Sequence, residues 1–221
     1  MRVSVVIPAY NEEQFIGGCL QGIMSQTIMP DELIVVDNNC TDDTVKIARS
    51  FGARVVRETR QGIGYARNRG FDSASHEVIV RFDADCLPPP HWIERVKEHF
   101  ARGADAAGGA THYGEVPDWL QDVFKGYHEV TPLLNGSMPV LSGANYALTR
   151  EMWDMIRDRV ETDVKRVHED INISIHIRRA GGTIVRDKDL IVDTSSRRMS
   201  GKPFSFFLEY PLLIAASYIR S

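Results

Sequence analysis

The stretch Val78-Ile79-Val80-Arg81-Phe82-Asp83-Ala84-Asp85-Cys86 sets an apolar run directly against two carboxylates two residues apart. The run reads as a buried strand over 78–82. Desolvated like charges at the end of such a strand are costly unless a cation neutralises them. A divalent metal is the simplest remedy, and an oxygen-only donor set favours Mg2+ or Mn2+, completed by waters and the oxygens of a bound phosphate. A nucleotide diphosphate is therefore the first partner to consider. The other reading is local: Asp83 and Asp85 cap a turn ahead of Pro88-Pro89-Pro90, which aspartate does readily.

Upstream the same arrangement recurs. Val3 to Ile7 is a nearly continuous apolar run stopped by Pro8, the pattern of a strand covered on both faces in a parallel sheet. Leu33 to Val36 is a second run, ending on Asp37, and Arg54-Val55-Val56 is a short third. The pattern predicts a helix opened by Tyr10-Asn11-Glu12-Glu13-Gln14, with Asn11 as N-cap and Ile16, Leu20 and Ile23 as its apolar stripe. A second helix is expected from Thr41-Asp42-Asp43-Thr44 to a stop at Gly52, and loop followed by helix over 61–74. Strands alternating with such segments imply parallel crossovers and an α/β sheet. Open sheets of this kind form their ligand crevice beyond the carboxyl ends of the strands. Asn11, Glu12, Asp37 and the Asp83/Asp85 pair all follow such ends, and their convergence favours the metal-nucleotide reading over the turn cap.

Composition sets the bounds. A chain of 221 residues fits one compact domain able to bury its own core without staples. With 43% hydrophobic and 25% charged residues it is an ordinary globular sequence, which excludes disordered and fibrous classes. A formal charge of -4 argues against a nucleic-acid partner, which needs a basic field. The three cysteines, Cys19, Cys40 and Cys86, show neither a disulfide framework nor zinc spacing. Met1-Arg2 leads straight into the first apolar run, too short for a signal peptide, so a reducing cytoplasm is the expected location.

In order and spacing, Pro8-Ala9-Tyr10-Asn11-Glu12-Glu13, then Val36-Asp37 through Asp42-Asp43-Thr44, then Asp83-Ala84-Asp85 resemble family-2 glycosyltransferases of the GT-A fold. Gly62-Ile63-Gly64-Tyr65-Ala66-Arg67-Asn68-Arg69-Gly70 looks like that family's segment between the second and third motifs. The resemblance implies a single Rossmann-like, mostly parallel central sheet flanked by helices over residues 1–195, with a basic loop and apolar helix over 196–221. It implies an inverting, metal-dependent transfer of one sugar from a nucleotide-diphosphate sugar to an acceptor hydroxyl whose identity stays open. On the donor side it places Pro8, Ala9, Tyr10, Glu12, Asp37, Gly62, Arg67, Asp83 and Ala84 around base and ribose. Asp85 would hold Mn2+ or Mg2+, with His168 as a second ligand or else a plain hydrogen-bonded histidine. Arg197 and Arg198, with Lys202, either clamp the diphosphate or form an exposed basic tail.

His168-Glu169-Asp170 is the second chemical centre. Inverting transfer needs a carboxylate to take the acceptor's proton, and Asp170 matches the family's base position. Glu169 and Gly143 are expected to border the acceptor; acids at a helix start also stabilise it without any catalytic role. Gly108-Gly109 and Gly143 mark either a ligand or a close backbone approach. Ile171, Ile173, Ile175 and Ile177 alternate as in a strand, yet on a helix they form two i,i+4 stripes with Gly181-Gly182 as the stop. The resemblance favours the helix. The apolar stretch 203–221 is interrupted by Glu209 and Pro211, and either packs on the domain or makes peripheral membrane contact.

Departures from the family pattern are Cys40 for the usual serine and Asn38-Asn39 in the second motif. The absence of Gln-x-x-Arg-Trp argues against a processive synthase. A nucleotidyltransferase and a non-catalytic nucleotide-sugar-binding protein are the rival readings. Pro8-Ala9-Tyr10, standing where a glycine fingerprint would, disfavours a dehydrogenase.

Overall fold

The structure is a computed structural model of the chain, and it describes residues 1–114, 116–117, 121, 126, 129–130, 132–133, 135–197 and 212–219. Arg198, Lys202 and most of the apolar stretch 203–221 singled out above lie outside the described residues.

Among the described residues, eight strands form a single sheet in the order β3-β2-β1-β4-β7-β6-β8-β5. They are β1 (Val3–Ala9), β2 (Glu32–Asp37), β3 (Arg54–Arg57), β4 (Val78–Phe82), β5 (Cys86–Leu87), β6 (Ala106–Tyr113), β7 (Asn145–Thr149) and β8 (Ile184–Thr194). β3, β2, β1 and β4 run parallel, joined by helices α1 (Ile16–Met24), α2 (Thr44–Ser50) and α3 (Ile63–Ser73). β7 is antiparallel to both β4 and β6, β8 parallel to β6, and β5 antiparallel to β8. The strand order reverses between β1 and β4, so the crevice expected of an open α/β sheet falls beyond Ala9 and Phe82.

Every residue of β1 is buried, and its side chains alternate between two cores. Val3, Val5 and Ile7 pack with Ile16, Leu20 and Ile23 of α1 and with Trp92, Val96 and Phe100 of α4 (Trp92–Ala101). Val6, Ile34 and Val36 pack on the other face with Phe71 and Trp153. The Glu169–Arg179 helix closes that side with Ile173 and Ile177. All its positions from Ile171 to Ile177 are buried, so the strand-like alternation of isoleucines is the trace of a helix surrounded on all sides.

One detail corrects the sequence reading, and a second decides between two alternatives that it left open. α1 begins at Ile16 rather than near Asn11, because Asn11 has φ 54° and its Oδ1 accepts the Thr41 N–H at 2.8 Å. The residue therefore ties two loops together instead of capping a helix. At Gly109 the constraint is backbone packing rather than a ligand: a Cβ there would overlap the Leu190 carbonyl, and the β6/β8 register shifts between Gly108 and Ala110.

Among the described residues no helix is long and apolar enough to cross a membrane. The helix over 212–219 packs against the start of the Glu169–Arg179 helix: His168 N–H donates to Ser217 Oγ at 2.8 Å and to Leu213 O at 3.3 Å.

Candidate active site

Beyond the ends of β1 and β4 lies a cleft of about 190 Å³. Pro8, Ala9, Tyr10 and Glu12 form one side, Asp83, Ala84 and Asp85 another, and Arg197 reaches in from the end of the chain segment after β8. These eight positions were all expected from the sequence. Asn38, Gln61, Ile63 and Ala66 complete the lining. They were missed individually, although Asn38 directly follows a strand end, Ile63 and Ala66 lie in the family-like segment, and Gln61 immediately precedes it.

Asn38 holds the wall in place. Its side-chain amide donates to the carbonyls of Glu58 (3.0 Å) and Arg60 (2.7 Å), and its Oδ1 accepts the Gly62 N–H at 2.9 Å. Gly62 sits at φ 142°, a backbone state that favours glycine, and this turn presents Gln61 and Ile63 to the cleft. Asp37 and Gly62 themselves border the lining rather than belong to it. Asp37 Oδ1 accepts the Cys40 N–H at 2.8 Å, which caps the turn after β2.

The Asp83–Cys86 turn is clipped to the end of β8 by the pairings of Cys86 with Thr194 and Leu87 with Asp193. Thr194 Oγ1 then donates to Asp85 Oδ1 at 3.2 Å. Arg197 pairs with Glu12, lies 3.7 Å from Asp85 Oδ2 by its Nε, and stacks over the Phe15 ring at 4.5 Å. Arg81 Nη2 donates to Asp83 Oδ1 at 2.9 Å. The neutralisation argued above for this acid pair is thus supplied in part by two arginines of the chain itself.

A buried charge network lies behind the cleft. Arg67 and Arg81, both fully buried, meet at one oxygen: Glu169 Oε1 accepts from Arg67 Nη1 at 2.7 Å and from Arg81 Nη1 at 2.8 Å. Arg67 also donates to Asn68 Oδ1 at 2.9 Å, so its guanidinium faces Glu169 and Asn68, away from the cleft lining. Glu169 is likewise engaged by both arginines through Oε1.

The two neighbouring acids are pushed in opposite directions. Burial disfavours the ionised form of Glu169, but Arg81 and Arg67 outweigh it and hold the carboxyl below its ordinary range. Asp170 is raised to about 7, first by burial and then by the negative charge of Glu169, with Arg81 opposing. Arg81 Nη1 stands 3.8 Å from Asp170 Oδ1, and the carboxylate rests against Gly143, where a Cβ would approach it to 2.5 Å. Paired acids with diverging environments are the usual arrangement of an acid/base site.

His168 lies outside the cleft lining. Burial pushes its imidazole down to about 4. Among the described residues no group of three or more His, Cys, Asp or Glu could by itself hold a metal ion. Asp85 with Asp83 beside it fits the sparser oxygen donor set of a Mg2+ or Mn2+ ion that shares its ligands with phosphate and water.

Residues 4–154 match the family model described as glycosyl transferase family 2. Over 120 residues the chain is 37% identical to glycosyltransferase AglE of Haloferax volcanii, a match spanning 50% of this chain and 40% of that one. Over 133 residues it is 34% identical to a dolichol-phosphate mannosyltransferase of Pyrococcus furiosus, spanning 54% and 36%. The chain thus spans well under half the length of these relatives. Among solved structures, the mannosyltransferase PcManGT of Pyrobaculum calidifontis, in complex with GDP-Man and Mn2+, superimposes with a TM-score of 0.80 at 23% identity, covering 100% of this chain and 64% of that one. Glucosyl-3-phosphoglycerate synthase of Mycobacterium tuberculosis, with Mn2+, UDP and phosphoglyceric acid, gives a TM-score of 0.65 at 25% identity, covering 91% and 73%. Sheet order, motif placement and these likenesses agree on the GT-A architecture, and the chain belongs to glycosyl transferase family 2.

Proposed function

We propose that the chain is an inverting glycosyltransferase that moves one sugar from a nucleotide-diphosphate sugar to an acceptor hydroxyl. The observation that carries the reading is the reach of one guanidinium: Arg81 touches Asp83 in the cleft at 2.9 Å and stands 3.8 Å from Asp170 behind it. A donor carboxylate and a raised carboxylate thereby adjoin the same site.

In this reading Pro8, Ala9 and the half-exposed Tyr10 receive the base and ribose, with Asn38 and Gln61 supplying polar contacts to the nucleoside. Asp85, with Asp83 next to it, would hold Mn2+ or Mg2+, which when bound neutralises charge on the leaving diphosphate. Both structural neighbours named above are complexes with Mn2+ and a nucleotide, which supports this choice of ion. Arg197 would exchange Glu12 and Asp85 for phosphate oxygens, which match its planar fork. Asp170, held in its partly protonated range near neutrality, takes the proton of the acceptor hydroxyl as its oxygen attacks. Inversion follows if that attack is a single displacement at the anomeric carbon.

The test is a panel of UDP- and GDP-sugars, each with and without Mn2+, followed by thermal unfolding and by release of nucleoside diphosphate. A ligand specific to the folded state raises the unfolding midpoint. At least one donor is expected to do so in a Mn2+-dependent way, and no shift with any member rejects the donor assignment. Product with retained anomeric configuration would reject single displacement.

A further inference from the structure

The buried half of the site contains a cation that the proposed chemistry does not use directly. Arg81 lies on β4, two residues before Asp83, and its side chain is 2% exposed. One end, Nη2, donates to Asp83 Oδ1 at 2.9 Å; the other, Nη1, donates to Glu169 Oε1 at 2.8 Å and stands 3.8 Å from Asp170 Oδ1. Its guanidinium also lies against the Tyr146 ring of β7, 5.7 Å from the centroid.

We propose that Arg81 is a positioning residue that sets the distance between the donor carboxylate Asp83 and the Glu169-Asp170 pair through one planar guanidinium. The inference rests on the transferase reading, because the distance it fixes is the one between donor and base. Asp83 and Glu169 belong to elements far apart in sequence, and no backbone hydrogen bond is shared between β4 and the Glu169–Arg179 helix among the described residues. Arg67 steadies Glu169 from the other side but makes no hydrogen bond or ion pair with Asp83 among the described residues. Arg81 therefore spans the gap alone among the guanidinium groups described. Lysine cannot substitute for it: a single ammonium has the charge but not two ends held in one plane.

Two measurements test this. The first needs no substrate: urea unfolding of Asp83→Asn, Glu169→Gln and the double variant, in the native background and in Arg81→Met. The two substitutions should be non-additive with Arg81 present and additive without it, because coupled residues share an interaction that distant ones do not. Additivity in the native background overturns the proposal. The second compares Arg81→Lys with the native chain on the donor that the panel identifies. Affinity for UDP or GDP with Mn2+ should stay within about threefold, while kcat falls by about tenfold or more, as a small misplacement of reacting groups does. A kcat within about threefold of native, or a fall in step with nucleotide affinity, overturns the positioning role. If Arg81→Met fails to fold, Arg81→Lys takes its place as the background of the first measurement. The non-additivity should likewise be lost there, because a single ammonium cannot hold both carboxylates in one plane. A native chain that turns over no donor while the unfolding cycle still shows coupling defeats the transferase reading, and with it the catalytic purpose assigned to Arg81. Coupling alone supports the tie.

Discussion

Gly143 and Asp170 are in direct contact: a Cβ on the glycine would stand 2.5 Å from Asp170 Oδ1 and 2.8 Å from Oδ2. Both approaches are shorter than real Cβ atoms show, and the obstructed group is the proposed base. Gly143→Ala is therefore expected to turn the carboxylate away. Turnover should fall by about tenfold or more, with nucleotide binding unchanged, since the donor cleft lies on the other side of Arg81. Measured donor turnover equal to the native value would show that Asp170 does not work from this position.

The raised Asp170 makes a prediction about pH. A base must be ionised to accept a proton, so kcat/KM should climb with pH through about 7 and level off above it. Its sign for stability is opposite. The folded state holds the proton more tightly than the unfolded chain, so this group's contribution to stability declines as pH rises from the ordinary aspartate range to about 7. Asp170→Asn should abolish turnover, retain nucleotide binding and flatten that part of the pH dependence of unfolding. A flat rate profile from pH 5 to 9, measured in the native chain, excludes Asp170 as the titrating base.

Much of this site is written in the sequence because it depends on strand ends. Pro8-Ala9-Tyr10 and Asp83-Ala84-Asp85 are polar or turn-forming residues after continuous apolar runs, and a parallel sheet brings such ends to one edge. The network behind them is not legible that way. Arg81 reads as an ordinary mid-strand residue, and Arg67 as part of a family-like helix; that both point at Glu169 follows from the crossing of elements 88 and 102 residues apart. The isoleucine alternation after Asp170 even argues for the wrong element, because a helix buried on every side leaves no polar stripe to reveal its period. Asn11 shows the limit of local rules: a good N-cap residue was drawn instead into a loop-to-loop hydrogen bond with Thr41.

Glu32 ties the far end of the same strands. Its carboxylate accepts from Ser4 Oγ at 2.6 Å, Arg54 Nη2 at 2.6 Å and Ser75 N–H at 2.8 Å. Burial works against its ionised form, but these bonds prevail and bring it down to about 2. The stabilisation is complete above the unfolded carboxyl's range and is lost as pH falls from about 4.5 to 2, an effect on the order of 1–2 kcal/mol once solvent screening of the half-exposed Arg54 pair is allowed for. Glu32→Gln should be less stable than the native chain at pH 6 and nearly equal to it at pH 2. Equal stability at pH 6, by urea unfolding, would remove Glu32 from the account.

Asp85 is the residue on which metal dependence turns. Thr194 and Arg197 hold its carboxylate toward the cleft, so a substitution there alters the donor site without opening the core. In the native chain, chelation with EDTA should weaken UDP or GDP binding, because an ion shared between carboxylate and phosphate is removed. In Asp85→Ala the nucleotide should bind with the weaker affinity whether or not Mn2+ is present. Arg197, released from Asp85, can still contact the diphosphate, so residual binding should fall steeply with added salt, as exposed charge pairs do. Calorimetric titration separates the outcomes. A Mn2+-dependent affinity that survives in Asp85→Ala places the ion on other ligands, and an affinity indifferent to EDTA in the native chain means that the two arginines beside the acid pair neutralise this site without a metal.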